Sequence, residues 1–291
     1  MLSNYHLCGS KLEKCVGVSS IITPNYTPLG RCCAFVCIVA EIVMLKSFPT
    51  PITACVFGAS GGIGRALTQA LIDDPAVARV FAGARRGSAL PAASAKLHPF
   101  AFDLADEASI AAAAATMATE GPVHLIIIAT GLLHEDGALK PEKSFKMQTP
   151  EAYARAFAVN TIGPALIGKH GLPLLPRGGK CVFAALSARV GSISDNRLGG
   201  WHAYRASKAA LNMVVRNFAL EISARNPDAL AVTLHPGTVA TGLSAPFQAG
   251  VNPEALFASE DAAAHLLKVI DALTPAETGQ LIAWNGTSIA F

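Results

Sequence analysis

The run Val56-Phe57-Gly58-Ala59-Ser60-Gly61-Gly62-Ile63-Gly64-Arg65-Ala66-Leu67 constrains the fold more than any other stretch. It reads as an apolar strand, a glycine-rich turn and the start of a helix. Gly58, Gly62 and Gly64 permit positive φ and let backbone N–H groups approach a ligand with no Cβ in between. The following helix N-terminus presents unpaired N–H groups at its positive dipole end, a natural seat for a pyrophosphate. The spacing G-x-x-x-G-x-G differs from the commoner G-x-G-x-x-G fingerprint but does the same physical job in a strand-turn-helix setting. Taken alone, the stretch also reads as a tight structural turn.

From there strand and helix patterns alternate, which predicts a parallel sheet with right-handed crossovers. Strands are expected at 53–57, 79–83, 97–102, 123–129, 179–185, 229–235 and 280–284, and helices at 62–72, 106–119, 149–172, 202–225 and 259–273. A chain of 291 residues that is 52% hydrophobic and 15% charged can bury a large core as one domain. Neither a repeat nor a linker divides it.

Tyr204-Arg205-Ala206-Ser207-Lys208 places a phenol and an ammonium four residues apart in a helical stretch, on one face. A phenol near pKa ~10 is a poor acid-base group at neutral pH. A fixed ammonium beside it favours the phenolate and is expected to lower that pKa toward the working range, as proton exchange with an alcohol or carbonyl requires. A solvated helix face is the plain alternative for this pair in isolation.

With both motifs present in this order, the chain from about Ile52 onward resembles the short-chain dehydrogenase/reductase family. The resemblance implies an α/β fold with a doubly wound parallel sheet of Rossmann type in a single domain. It also implies a catalytic set of Asn160, Ser187, Tyr204 and Lys208, in the family's order along the chain. The cofactor would be met by Gly58, Ser60, Gly62, Ile63 and Gly64 in the turn, by Asp103 and Leu104 after the third strand, and by Thr130 and Gly131 after the fourth. Lys208 would hold the nicotinamide ribose, and Pro236, Gly237, Thr238 and Thr241 would follow the sixth strand. Tyr204 would exchange the proton, Ser187 would hydrogen-bond the substrate oxygen, and Asn160 would position a water leading from Lys208 to solvent. No metal is implied.

The chain departs from the family at three places. Phe57 stands where a Thr usually precedes the first glycine, and Ala129-Thr130-Gly131 stands where N-N-A-G is usual. The interval from Ser187 to Tyr204 is long and holds Ser192, Ser194, Asp195, Gly199, Gly200 and Trp201. This insertion and the ending Trp284-Asn285-Gly286 are similar to the C-factor-like branch. The stretch from Thr238 to Phe257 resembles the family's mobile substrate loop, with an ordinary surface connection as the alternative.

Cofactor choice follows from one tripeptide. A fold selecting NAD usually places Asp or Glu about 20 residues beyond the glycines, whereas NADP needs a cation for its 2′-phosphate. Here Ala84-Arg85-Arg86 occupies that place, so no carboxylate repels phosphate and two guanidiniums can clamp it. NADP(H) is the expected cofactor. Two solvated arginines after a strand are the alternative.

A net charge of +3 without a Lys/Arg block gives no reason to expect nucleic acid or an anionic membrane as partner. The longest apolar candidate, Ala34 to Leu45, is short of the ~18 residues a span needs and carries Glu41. A cytoplasmic enzyme acting on a small carbonyl or alcohol is expected, with a homodimer or homotetramer built through long helices such as 149–172 and 202–225. Five of the seven cysteines lie in the first 37 residues without metal-ligand spacing. Residues 1–43 are expected to be an N-terminal extension, disordered or translated upstream of the true start, with residues 44–291 as the enzyme domain. A dinucleotide-binding regulatory or signalling protein of the C-factor type, with little turnover, is the alternative function.

Overall fold

A computed structural model describes residues 43–85, 87–136, 138–250 and 252–291. The expectation for residues 1–43 therefore lies almost wholly outside the described residues.

The first half runs β1 (Ile52–Phe57), α1 (Gly62–Asp73), β2 (Val77–Ala84), β3 (Leu97–Ala101), α2 (Glu107–Ala118) and β4 (Leu125–Ile128). The second runs α3 (Pro150–Phe157), α4 (Gly163–Gly171), β5 (Cys181–Leu186), α5 (His202–Ser223), β6 (Ala229–His235), β7 (Thr238–Val239), β8 (Leu256–Phe257), α6 (Ser259–Ala272), β9 (Leu281–Ala283) and β10 (Ser288–Ile289). Eight strands form one sheet in the order β10-β9-β6-β5-β4-β1-β2-β3. All its pairings are parallel except that of β10 with β9. This is the doubly wound arrangement expected from the alternation of strand and helix. The strand order reverses at β1, between β2 and β4, and in such a sheet that switch point is where ligands bind.

Central strands buried on both faces read as unbroken apolar runs. In β4, Leu-Ile-Ile-Ile is wholly buried, as is Cys-Val-Phe-Ala-Ala-Leu in β5. Side chains alternate between faces with period two. Thus Ala54 and Val56 of β1 pack in a core with Leu67 and Leu71 of α1 and Leu266, Leu267 and Ile270 of α6. Cys55 and Phe57 pack on the opposite face with Ile110 of α2, Ile167 of α4, and Leu211 and Val215 of α5. Each fully buried Leu or Ile contributes about 1.5–3 kcal/mol, so these two layers hold the sheet rigid beneath its loops.

Two elements differ from the sequence-based expectation. The helix expected over 149–172 is broken by a π-helical turn, Ala158–Ile162, where the Gly163 N–H bonds back to the Ala158 carbonyl. Pro164 supplies the reason: it has no N–H to offer the Asn160 carbonyl one turn earlier. The stretch after β6 also carries structure of its own, because β7 and β8 pair in parallel as a small second sheet. No helix among the described residues is long and apolar enough to cross a membrane.

Candidate active site

The glycine turn is built by close packing of backbone on backbone. Gly58 follows β1 at φ +92, and its N–H and that of Ala59 both donate to the Gly83 carbonyl at the end of β2. A Cβ on Gly64 would stand 2.1 Å from the Gly58 carbonyl oxygen, so only glycine lets α1 start this close to the strand end. Gly61 is the N-cap of α1 and provides no side-chain acceptor for the first-turn N–H groups. Those donors are left for a ligand.

A cleft of about 320 Å³ opens beside this turn. Its walls include Gly58, Ser60 and Gly61 of the turn, Arg85, Asp103 and Leu104, and Thr130 and Gly131 after β4. Arg86 lies outside the described residues. Thr130 Oγ1 is buried with no hydrogen-bond partner, a polar atom whose need a bound ligand would meet. Asp103 uses Oδ1 to accept from the Ala105 N–H, which fixes its carboxylate at the rim. Together the helix start, the glycine cradle, the orphan hydroxyl and Arg85 fit a dinucleotide phosphate.

Two residues of this cleft had no signal in the sequence. Glu135 lines it and is held by Arg155, whose Nε donates at 2.9 Å to Oε2 while the second guanidinium nitrogen binds Oε1. That hydrogen bond, and the Arg155 and Arg85 charges, hold the Glu135 carboxyl below the usual range. A carboxylate therefore does face the cleft, contrary to what the β2 end alone suggests, but it is paired. Nothing in the spacing of residues 135 and 155 announces the pair.

A second cavity, of about 350 Å³, is bordered by Ile63 at the start of α1. It is lined by Ser187, Tyr204, Pro236, Gly237, Thr238 and Thr241, with Trp201, Leu243 and Phe247 as apolar wall. Thr241 reaches back to α1: a Cβ on Gly62 would come within 2.7 Å of its Cγ2. His235 also borders the cavity; burial and the Arg189 charge push it down to about 4, and its Nδ1 has no partner. Trp201 holds a left-handed conformation at φ 50, following Gly199 and Gly200, and its ring meets those of Phe247 and Tyr204 edge-on at 5.2 and 6.2 Å.

Tyr204 and Lys208 lie one turn apart on the inner face of α5, 9% and 3% exposed. Lys208 Nζ donates to the Leu186 carbonyl at 2.7 Å and stands 5.9 Å from the centre of the Tyr204 ring. Asn160 is fully buried in the π turn, where its Oδ1 accepts from the Leu132 N–H and its Nδ2 donates to the Leu132 carbonyl and to Ser207 Oγ. Gly131, on the wall of the first cavity, packs close to both residues: a Cβ there would lie 3.8 Å from Asn160 Oδ1 and 3.9 Å from Lys208 Nζ. Ser187 follows β5 and donates its hydroxyl proton to Asn212 Oδ1 at 2.8 Å. The structure thus gathers Asn160, Ser187, Tyr204 and Lys208 at the carboxyl ends of β4, β5 and β6.

The expected lowering of the tyrosine pKa is corrected. Burial pushes the Tyr204 phenol up to about 12 and the Lys208 ammonium down to about 7, because each charged form loses water. The charge effect anticipated from the four-residue spacing is outweighed by desolvation. Among the described residues, no group of three or more His, Cys, Asp or Glu is placed to hold a metal ion.

Comparison with known proteins agrees with this geometry. The family model described as short chain dehydrogenase matches residues 52–252. A 1-hydroxy-2-glutathionyl-2-methyl-3-butene dehydrogenase of Rhodococcus sp. (strain AD45) is 34% identical over 239 residues, 81% of this chain and 97% of the relative. The C-signal protein of Myxococcus xanthus is 36% identical over 136 residues, 47% of this chain and 76% of the relative. In fold, the chain is similar to NADPH-bound carbonyl reductase from chicken fatty liver, with a TM-score of 0.70 at 24% identity over 84% of this chain and 97% of that one. With its sheet, its glycine turn and its matched residues 52–252, the chain belongs to the short-chain dehydrogenase family.

Proposed function

We propose that the chain is an NADP(H)-dependent oxidoreductase that interconverts a carbonyl and an alcohol, with Tyr204 as its acid-base group. The observation that carries this reading is the meeting of a phosphate-type glycine turn and the buried set of Asn160, Ser187, Tyr204 and Lys208 at one end of one sheet. The bound nicotinamide would supply the redox step, and the protein orients and polarises. Gly58, Gly61 and the first turn of α1 would seat the pyrophosphate, with Thr130 filling its open hydrogen bond there. Arg85 would meet the 2′-phosphate; Arg155 supports this by neutralising Glu135, which would otherwise repel it. Asp103 and Leu104, on the cleft wall, would border the adenosine.

At the reacting centre, Tyr204 gives its proton to the oxygen of a carbonyl undergoing reduction and takes it back in the reverse direction. The phenol is protonated at neutral pH and so is in the right state to act as acid; burial makes it a weaker one, and the Lys208 ammonium beside it would ease its ionisation. Lys208, anchored on Leu186, would hold the ribose and replenish the proton by way of Asn160. The apolar wall of Trp201, Leu243 and Phe247 supports a small, largely apolar substrate. The C-signal likeness raises a regulatory reading, but a binding module has no need of a buried phenol beside a lysine, and the intact set favours turnover. The chain is proposed to work in the cytoplasm as a homodimer or homotetramer.

The test is to titrate the protein with NADPH and NADH, then to follow NADPH consumption against a panel of aldehydes, ketones and quinones. Saturable NADPH binding with turnover of at least one carbonyl is expected. Binding without turnover across the panel would favour the regulatory reading.

A further inference from the structure

Asn212 lies eight residues beyond Tyr204 and four beyond Lys208, so the three share one face of α5. It is 3% exposed and sits behind Ser187, itself 5% exposed. Its Nδ2 donates to the Gly191 carbonyl at 3.4 Å, and its Oδ1 faces Ser187 Oγ at 2.8 Å. The polarity of this chain is forced. A carbonyl oxygen only accepts, so the amide must turn its NH₂ to Gly191 and its oxygen to Ser187. Ser187 must then donate. Its one proton is committed to Asn212, which leaves both lone pairs of Oγ free.

The three-residue turn Arg189–Gly191 clamps the arrangement from outside. A Cβ on Gly191 would come within 2.9 Å of Lys208 Cβ and 3.2 Å of Asn212 Nδ2, so this turn packs directly on the face that carries both side chains. The long interval between Ser187 and Tyr204 begins with that clamp.

From this geometry we infer that Asn212 is a positioning residue acting through Ser187: its buried amide fixes where the serine oxygen stands at the reacting centre. Ser187 then holds the substrate oxygen in line with Tyr204, and loss of the amide lets that alignment drift. The inference rests on the oxidoreductase reading given above, and it assigns a role to a residue outside the four that the family resemblance supplies.

A double-mutant cycle tests it. Wild type, Asn212→Leu, Ser187→Ala and the double variant are compared in kcat, in NADPH dissociation constant and in melting temperature, with Asn212→Ala replacing the leucine variant if that one does not fold. Loss of Asn212 should lower kcat about tenfold, the scale of one hydrogen bond, with NADPH affinity unchanged. In the Ser187→Ala background the same substitution should have no further effect on kcat, since its route to the reaction is gone. Multiplying effects in the double variant would overturn the inference, as would an Asn212 variant with wild-type kcat. A wild-type protein that binds NADPH and turns over no carbonyl overturns the oxidoreductase reading instead, and is told apart by needing no variant at all.

Discussion

Lys208 Nζ stands 5.9 Å from the centre of the Tyr204 ring, and burial drives the two groups in opposite directions, the phenol up to about 12 and the ammonium down to about 7. The consequence for stability has a definite sign. Between pH 7 and the ordinary lysine value near 10.5, the unfolded chain binds a proton at Lys208 that the folded chain has shed, so stability rises with pH across that window. Below pH 7 both states are charged and the full burial cost is paid. Tyr204 acts above that range: between pH 10 and 12 the folded phenol keeps a proton the unfolded one has lost, so stability falls as pH rises. Lys208→Met removes the first dependence. Its stability relative to that of wild type should be greater at pH 6 than at pH 9, by on the order of a few kcal/mol. Parallel curves for the two proteins from pH 6 to 9 would show that Lys208 is not buried in its neutral form.

Tyr204→Phe keeps the ring that packs against Trp201 and removes only the hydroxyl. Turnover should fall by at least ~10²-fold while NADPH affinity and melting temperature stay near wild type. Near-normal turnover would take Tyr204 out of the reaction.

Arg85, on the wall of the first cavity, is proposed to set the cofactor preference. Arg85→Asp should weaken NADPH binding by roughly 1.5–3 kcal/mol, the scale of a charge-assisted hydrogen bond, and change NADH binding little. Equal affinity of the wild-type protein for both cofactors would defeat this assignment. Arg155→Gln gives a second reading of the same cleft. It leaves the Glu135 carboxylate unpaired there and should also cost NADPH more than NADH.

The sequence made the frame of this site legible because its demands are local. Gly58 and Gly64 announce a turn in which one backbone touches another, and the period of α5 places Tyr204 and Lys208 on one face. Asn212 was within reach of the same periodicity, being one more turn along that face, but an asparagine at that spacing has no chemistry until Ser187 is seen to face it. The π turn at Asn160 follows from Pro164 only once the helix is known to continue past it. The pairing of Glu135 with Arg155 depends on two loops meeting in space, and no spacing encodes that. The sign of the Tyr204 shift is not legible for a related reason: burial depth belongs to the tertiary structure, and it outweighs the charge that the motif displays.

Gly64→Ala probes the turn itself. The added methyl would collide with the Gly58 carbonyl at 2.1 Å, against backbone that cannot swing aside. Overpacking of this kind costs about 1–3 kcal/mol, and the displaced turn should lose most of its NADPH affinity. A variant that binds NADPH like wild type would place the phosphate elsewhere.

The start of the described body permits a last prediction, about how much of the chain's beginning the enzyme needs. The N–H groups of Met44 and Leu45 both donate to Asp74 Oδ2, at 2.9 and 3.0 Å, and Asp74 is only 2% exposed. Leu45 is fully buried and Phe48 nearly so, both in the core that packs α1 and α6 against the sheet. A chain beginning at Met44 keeps all of these contacts, and its new terminal ammonium lies beside the Asp74 carboxylate. We expect it to match the full chain in kcat/KM and to melt within the ~2–4 °C that one kcal/mol represents at this size. A chain beginning at Pro49 should behave differently. It strips two large apolar side chains from the core and leaves Asp74 buried with the Ala76 N–H as its remaining backbone donor. The loss of roughly 1.5–3 kcal/mol per side chain, together with the lost hydrogen bonds, should lower its melting temperature by about 10 °C or more. A Met44 start that melts as low as the Pro49 start would show that residues 1–43 contribute to the fold, and the expectation that they are dispensable would fail.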